Sequence, residues 1–278
     1  MIFKEGLLLR SVSLDRTHFR VSNNTERFPF NVPVIRSLET LEFSSQVTFL
    51  VGENGSGKST LLEAIAAAAN SITVGRESVD KDASLEPIRT LASTLKLTWS
   101  KKTRRGFFMR SEDFFGFARR MTELRAELQR DVENIDQEYK DRSEYARLLA
   151  QQSYNRELHG IQNSYGDGLD TQSHGESYLK LFQSRFVPEG LYLLDEPEAP
   201  LSPLRQLSFL VLLKEMTGQK SQFIIATHSP ILMAFPGAAI LTFDKGVIEE
   251  VDYNDLEHVR ITREFLEDPN RYLNHLFQ

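Results

Sequence analysis

Gly52-Glu53-Asn54-Gly55-Ser56-Gly57-Lys58-Ser59 is the stretch that decides the fold, and it follows the pattern G-x-x-x-x-G-K-S at every position. Glycines let the backbone curl so that successive amides point at phosphate oxygens, and a helix starting at once adds the positive end of its dipole. Lys58 is then the cation that bridges the β- and γ-phosphates, and Ser59 offers its hydroxyl to magnesium. The phosphate-binding set expected here is Gly52, Asn54, Gly55, Ser56, Gly57, Lys58, Ser59 and Thr60. Val47 to Val51, rich in β-branched residues, predicts a strand before the loop, and Thr60 to Ala69 predicts a helix after it. Strand, glycine-rich turn and helix in that order are the local grammar of a phosphate-binding α/β unit.

Two later strand tips supply matching chemistry. Leu191-Tyr192-Leu193-Leu194-Asp195-Glu196 is an apolar run ending in two carboxylates. The carboxyl ends of parallel strands are where ligands sit in doubly wound folds. Asp195 is expected to hold magnesium, and Glu196 to polarise an attacking water as a base. Thr227-His228-Ser229-Pro230 follows the next apolar run. A neutral imidazole at His228 is placed to donate to a γ-phosphate and to hold that water.

The rest of the composition narrows the class. The chain has 278 residues, no cysteine, and 33 basic against 39 acidic residues, a net charge of −6. That length with 40% apolar residues buries a real core, and the absence of cysteine excludes disulfide frameworks, thiolate metal sites and thiol nucleophiles. The longest apolar runs, Ala64 to Ala69 and Ile231 to Ile240, fall far short of the ~20 residues that span a bilayer. The first residues lack the basic-then-apolar order of a secretory signal, so a cytoplasmic protein without an integral membrane segment is expected.

Along the chain, Leu7 to Val51 predicts short strands, Thr17 to Val21 among them, with Pro29 and Pro33 in an extended connector. Leu95 to Phe108 predicts a hairpin around the basic turn Lys101-Lys102-Thr103-Arg104-Arg105. Phe117, Met121, Leu124, Leu128, Val132, Ile135 and Tyr139 recur at helical spacing and predict a long helix laid on its own domain. Asn163 to Gly175 predicts a loop, and Asp255 to Gln278 a charged amphipathic helical ending broken at Pro269. Residues 101–130 hold nine Lys or Arg and four Asp or Glu, a local balance of +5, with Phe107, Phe108, Phe114, Phe115 and Phe117 among them. Such interleaving suits a nucleic-acid strand, although a solvated turn with core phenylalanines explains it more simply.

The order of these motifs resembles the ATP-binding cassette (ABC) ATPase family. Gln172-Ser173-His174-Gly175-Glu176 stands where that family carries its signature segment, with Ser173 and Gly175 matching and His174 and Glu176 departing. The resemblance implies an α/β P-loop NTPase of the ABC type with an antiparallel β subdomain and a helical insertion. It implies one domain over 1–278: residues 1–112 as the β subdomain and phosphate-loop unit, 113–186 as the helical part, and 187–278 as the remainder. It implies ATP with Mg2+, hydrolysis, and a head-to-tail homodimer in which Ser173 and Gly175 close over the other subunit's γ-phosphate.

In that family a glutamine after a strand reaches magnesium; here Phe107 to Glu112 has none, and Glu112 is the candidate metal-facing residue with Arg110 beside it. Phe28 and Phe30 are candidates for stacking on adenine, and Ser202 for a contact across the dimer. The narrower likeness is to stand-alone bacterial ABC-type ATPases related to transporter and SMC-like ATPases. The partner stays open: a separate permease, a nucleic acid or defence system, or a state-sensing role without hydrolysis.

Overall fold

The computed structural model describes residues 6–15, 26–74, 86–138, 142–165 and 174–277. The first part runs β1 (Leu9–Leu14), α1 (Pro33–Ser37), β2 (Thr40–Glu42), β3 (Val47–Val51), α2 (Lys58–Ala68), β4 (Ile72–Thr73), α3 (Glu86–Thr94) and β5 (Leu95–Trp99). Next come β6 (Gly106–Arg110), α4 (Ser111–Glu138), α5 (Glu144–Tyr165), α6 (His174–Arg185) and β7 (Leu191–Asp195). The last part is α7 (Pro203–Gly218), β8 (Gln222–Ala226), α8 (Pro230–Met233), β9 (Ala239–Thr242), β10 (Glu249–Glu250), α9 (Glu257–Glu267) and α10 (Pro269–Leu276).

A seven-stranded sheet in the order β10-β9-β3-β8-β7-β6-β4 forms the frame. Its strands are parallel apart from β10, which pairs antiparallel with β9. Every residue of β3, β7, β8 and β9 is buried, as continuous apolar runs covered on both faces require. Successive side chains alternate between two cores. Phe49, Tyr192, Leu194, Phe223 and Ile225 enter one, with Phe114, Phe182 and Phe209. Leu50, Leu193, Ile224 and Ala226 enter the other, with Leu61 and Ile65 of α2. The first core is aromatic: Phe186 lies 4.4 Å from Tyr192 and 5.0 Å from Phe182, centroid to centroid.

A three-stranded antiparallel sheet, β2-β1-β5, covers the second core. Gln222, fully buried in β8, fastens it to the frame: its Oε1 accepts from the amides of Leu8 and Leu9, and its Nε2 donates to the Leu9 carbonyl. One buried amide thereby satisfies three backbone groups where the two sheets meet.

Several local expectations change. Leu95 to Phe108 is not a hairpin: β5 pairs with β1, while β6 lies between β7 and β4 in the large sheet. The half-buried alternation of β5 fits a small sheet with one covered face, whereas the buried middle of β6 fits an interior strand. Residues 100–105 therefore cross between sheets. There Lys101 Nζ meets Glu189 Oε1 at 2.6 Å and Arg105 reaches Glu189 Oε2 at 3.9 Å, at the edge where β6 and β7 begin.

Arg119, Arg120, Arg125 and Arg130 instead ride on α4, which leaves the opposite end of β6. The basic stretch is thus divided by a five-residue strand, about 16 Å long. Phe107, Phe108, Phe114 and Phe117 are core residues. No continuous basic and aromatic strand-binding surface forms there among the described residues.

The long helix is present as α4, and it packs against α5, which extends to Tyr165 into the stretch expected to be loop. Pro33 opens the helical turn α1, where the missing amide donor costs nothing. The strand expected over Thr17 to Val21 and the residue Tyr139 lie outside the described residues. The ending forms α9 and α10 with Pro269 at the first position of α10. Among the described residues no helix is long and apolar enough to cross a membrane.

Candidate functional site

The site is built at the carboxyl edge of the large sheet. In strand register Arg110 lies beside Asp195, Asp195 beside Ala226, and Ala226 beside Leu50. The segments that follow these positions carry Glu112, Glu196, His228 and the phosphate loop, so one edge collects motifs far apart in the chain.

The loop leaves β3 through Gly52 and enters α2 at Gly57, with φ of +141° and +103°. A side chain at Gly52 would meet Asp244 Oδ1 at 2.7 Å, and one at Gly57 would meet Val32 and Val34 at 2.7 Å. Backbone sign and space both demand glycine. Lys58 is buried, and its ammonium donates to the carbonyls of Gly52 at 2.6 Å and Glu53 at 2.9 Å. Burial holds its pKa below the ordinary lysine value, against the attraction of Glu196 and Asp195. Among the described residues Ser56 Oγ has no hydrogen-bond partner, and it is buried. Asp244, after β9, braces the loop by accepting from the Glu53 amide at 2.8 Å, and Thr242 donates to its other oxygen at 3.0 Å.

Ser59 Oγ donates to Asp195 Oδ1 at 3.2 Å, joining the loop to the tip of β7. Burial pushes the Asp195 carboxyl up to about 7, with Glu63 and Glu196 adding to the rise and the Ser59 hydroxyl and Arg110 opposing it. Glu196 turns out of the strand with φ +50°, rare for a side chain of this size, while its amide donates to the Ala226 carbonyl at 2.9 Å. Its carboxylate is half exposed and lies 3.9 Å from His228 Nε2. The structure thus brings Ser59, Asp195, Glu196 and His228 to one edge.

A cavity of about 460 Å³ opens over the loop. Phe28, Asn31, Val32 and Pro33 line one end and Lys58, Ser59, Thr60 and Glu196 the other. Phe28 is exposed on this wall, whereas Phe30 is a core residue. Glu112 stands exposed at the start of α4, 3.7 Å from Arg110. The main partner of Arg110 is Glu63 of α2, at 2.5 Å with both side chains largely buried. Burial raises the Glu63 pKa and Arg110 opposes it.

Ser173 and its neighbour Gln172 lie outside the described residues. Gly175 lies in the first turn of α6, packed so closely that a β-carbon there would come within 2.9 Å of the Pro200 carbonyl. Glu176 pairs with Arg205 of α7 at 3.5 Å, so the start of α6 is bound to the segment after Glu196. Ser202 is exposed at the cap of α7.

Sequence reasoning missed Glu63, Glu198 and Asp244. Glu63 follows Ser59 by four residues and shares its helix face, a legible signal. Glu198 is half-buried, and its Oε1 accepts from the His228 amide at 2.7 Å, tying the two strand tips together. Burial raises its pKa against the hydrogen bonds from Thr227 and His228. Asp244 gives no local signal, since only the pairing of β9 with β3 brings it to the loop.

Comparison with curated proteins finds no match. Among solved structures, a nucleotide-free ATP-binding cassette from an ABC transporter aligns at 14% identity and TM-score 0.48, over 95% of this chain and 96% of that one. The ADP conformation of an ATP-binding cassette of an ABC transporter aligns at 15% and 0.45, over 98% and 99%. The Smc head domain from Pyrococcus furiosus, with an extended coiled coil and bound to the C-terminal domain of ScpA, aligns at 12% and 0.45, over 95% and 99%. The family described as the RecF/RecN/SMC N terminal domain matches residues 32–242, from the cavity wall before the phosphate loop to the end of β9. With the loop, the Asp195 tip and the parallel frame inside that span, the chain belongs to the RecF/RecN/SMC N-terminal domain family and forms a P-loop nucleotide-binding domain of the ABC type.

Proposed function

We propose that this protein binds ATP with Mg2+ in the cavity over the phosphate loop and hydrolyses it, two chains closing head to tail around two nucleotides. The observation that carries this reading is the meeting of Ser59, Asp195, Glu196 and His228 at one sheet edge beside that cavity. The donor set fits the ligands: a hydroxyl and a carboxylate suit a hard divalent cation, and the buried Ser56 hydroxyl, without a partner among the described residues, suits a phosphate oxygen. Ser59 and Asp195 would hold the cation, which when bound neutralises phosphate charge. Gly52 to Thr60 cradle the phosphates, Lys58 turning from the loop carbonyls to the β- and γ-oxygens. Glu196 accepts the proton of the attacking water, and His228 orients that water and the terminal phosphate. Phe28, exposed on the cavity wall, stacks on the base.

Closure brings Ser173 and Gly175 of one chain over the triphosphate of the other. The tight packing of Gly175 on Pro200 and the pairing of Glu176 with Arg205 support movement of that segment together with the one after Glu196. Glu112 is a weaker metal candidate than Asp195, because Arg110 is its near neighbour and its side chain is exposed. The hydrolytic cycle then signals to an unidentified protein partner.

Phosphate release and nucleotide titration of three proteins test this. Wild type should release phosphate steadily with Mg2+. Glu196→Gln should keep binding, lose turnover by at least about a hundredfold, and elute as an ATP-dependent dimer. Lys58→Ala should lose binding. Binding without turnover in wild type would make the protein a nucleotide sensor, and normal turnover in Glu196→Gln would remove that residue from its role.

A further inference from the structure

A second cavity, of about 630 Å³, opens at the β9–β10 end of the large sheet. Its floor belongs to the aromatic core: Met233, Phe235 and Ile240 line it and are buried. Residues 250–253 form a wall, fixed at one end by the pairing of Glu250 with Leu241 and at the other by Tyr253 Oη, which donates to the Pro230 carbonyl at 3.0 Å. Met233 closes α8, which begins two residues after His228, so the cavity stands on the segment that carries the histidine.

Glu250 and Asp252 are exposed on that wall, and neither carboxylate has a hydrogen-bond or ion-pair partner among the described residues. Residues 249–257 hold five Asp or Glu and no Lys or Arg, and Lys245 reaches only Glu249, at 3.4 Å. The other lining residues carry no charge. An apolar floor beside two unpaired carboxylates matches a Lys or Arg side chain, whose methylene stem packs on apolar atoms while its head stays at the polar rim. A free polyamine would bring little beyond charge to carboxylates open to water, where an ion pair gains little. A protein segment adds a neighbouring apolar side chain for the floor, and a cavity of this size holds more than a single side chain.

We propose that this cavity docks an extended segment of a partner protein in which Lys or Arg stands next to an apolar residue, the cation at Glu250 and Asp252 and the apolar side chain over Met233, Phe235 and Ile240. Such docking supplies the partner chemistry that the proposed function leaves open. Its consequence for hydrolysis, through the segment shared with His228, rests on the nucleotide reading, whereas the docking itself does not.

A random octapeptide library displayed on phage and panned on the nucleotide-free full chain tests this. Enriched peptides should carry Lys or Arg beside an apolar residue. Once synthesised, they should bind wild type and lose at least about tenfold in affinity for Ala234→Trp, which fills the cavity from an exposed position, and for Glu250→Lys with Asp252→Lys. Asp131→Lys with Glu133→Lys, the same charge change on α4, should stay within about twofold of wild type. Should Ala234→Trp not fold, the two charge reversals decide. No enrichment, enriched peptides without a basic residue, or equal losses in the two charge reversals would overturn the proposal. Spermine bound as tightly as the peptides would make this a polyamine site, and nucleotide-free self-association lost in Ala234→Trp would make the occupant a second copy; either result overturns it too. Lys58→Ala should lose nucleotide yet keep the peptides, so that failure of the nucleotide reading leaves the docking result standing, and peptide binding lost in Lys58→Ala would count against the docking.

Discussion

Arg110 and Asp195 stand side by side at the ends of the parallel strands β6 and β7, and each is held by the same face of α2. Glu63 binds Arg110 and Ser59 binds Asp195, one helical turn apart. The helix that begins at the phosphate loop is therefore tied to two strand tips, and the long helix α4 leaves directly from one of them. Removing one partner of such a buried pair leaves a charge without compensation. Arg110→Met should destabilise the protein by about 3 kcal/mol in urea unfolding. Adding Glu63→Gln should restore much of it, and a double variant as unstable as the sum of its parts would show that the pair is not coupled.

Asp195 also gives the metal-free protein a pH signature. The buried carboxyl binds its proton more tightly in the folded chain, at about 7, than in the unfolded chain, near 3.8. Its contribution is therefore full below that ordinary value and is lost as pH rises through about 7. In EDTA, Asp195→Asn should stabilise the protein at pH 8 by on the order of 2–4 kcal/mol and have little effect at pH 4. Denaturant midpoints at both pH values check this, and an equal effect at both would refute it.

Glu198 holds the backbone of the histidine segment, not a reacting group. Glu198→Ala should release the His228 amide and lower kcat about tenfold or more, with KM for ATP changed little. Glu198→Gln, which keeps an acceptor oxygen, should recover most of the loss in steady-state phosphate release.

The loop glycines differ in what they tolerate. At Gly57 a methyl group meets two valines at a left-handed φ, whereas at Gly55, φ +82°, nothing lies within 4 Å. Gly57→Ala should cost about 3 kcal/mol and disrupt nucleotide binding, and Gly55→Ala only about 1 kcal/mol. Thermal melting with and without ATPγS separates the two.

By itself the sequence determined the phosphate loop, the strand before it, the helix after it, and the two strand tips with Asp195 and His228. These follow from local rules: glycine alone takes the loop's φ values, and an apolar run bounded by polar residues reads as a buried strand. Tertiary structure decided the rest. The arms around Lys101 to Arg105 both read as strands, and their partners, β1 for one and β7 for the other, send them to different sheets. That split divides the basic stretch and gives Arg110 to Glu63. Asp244 meets the loop, and Glu198 the His228 amide, only because parallel pairing brings together groups 191 and 30 residues apart, and no local pattern encodes such a meeting.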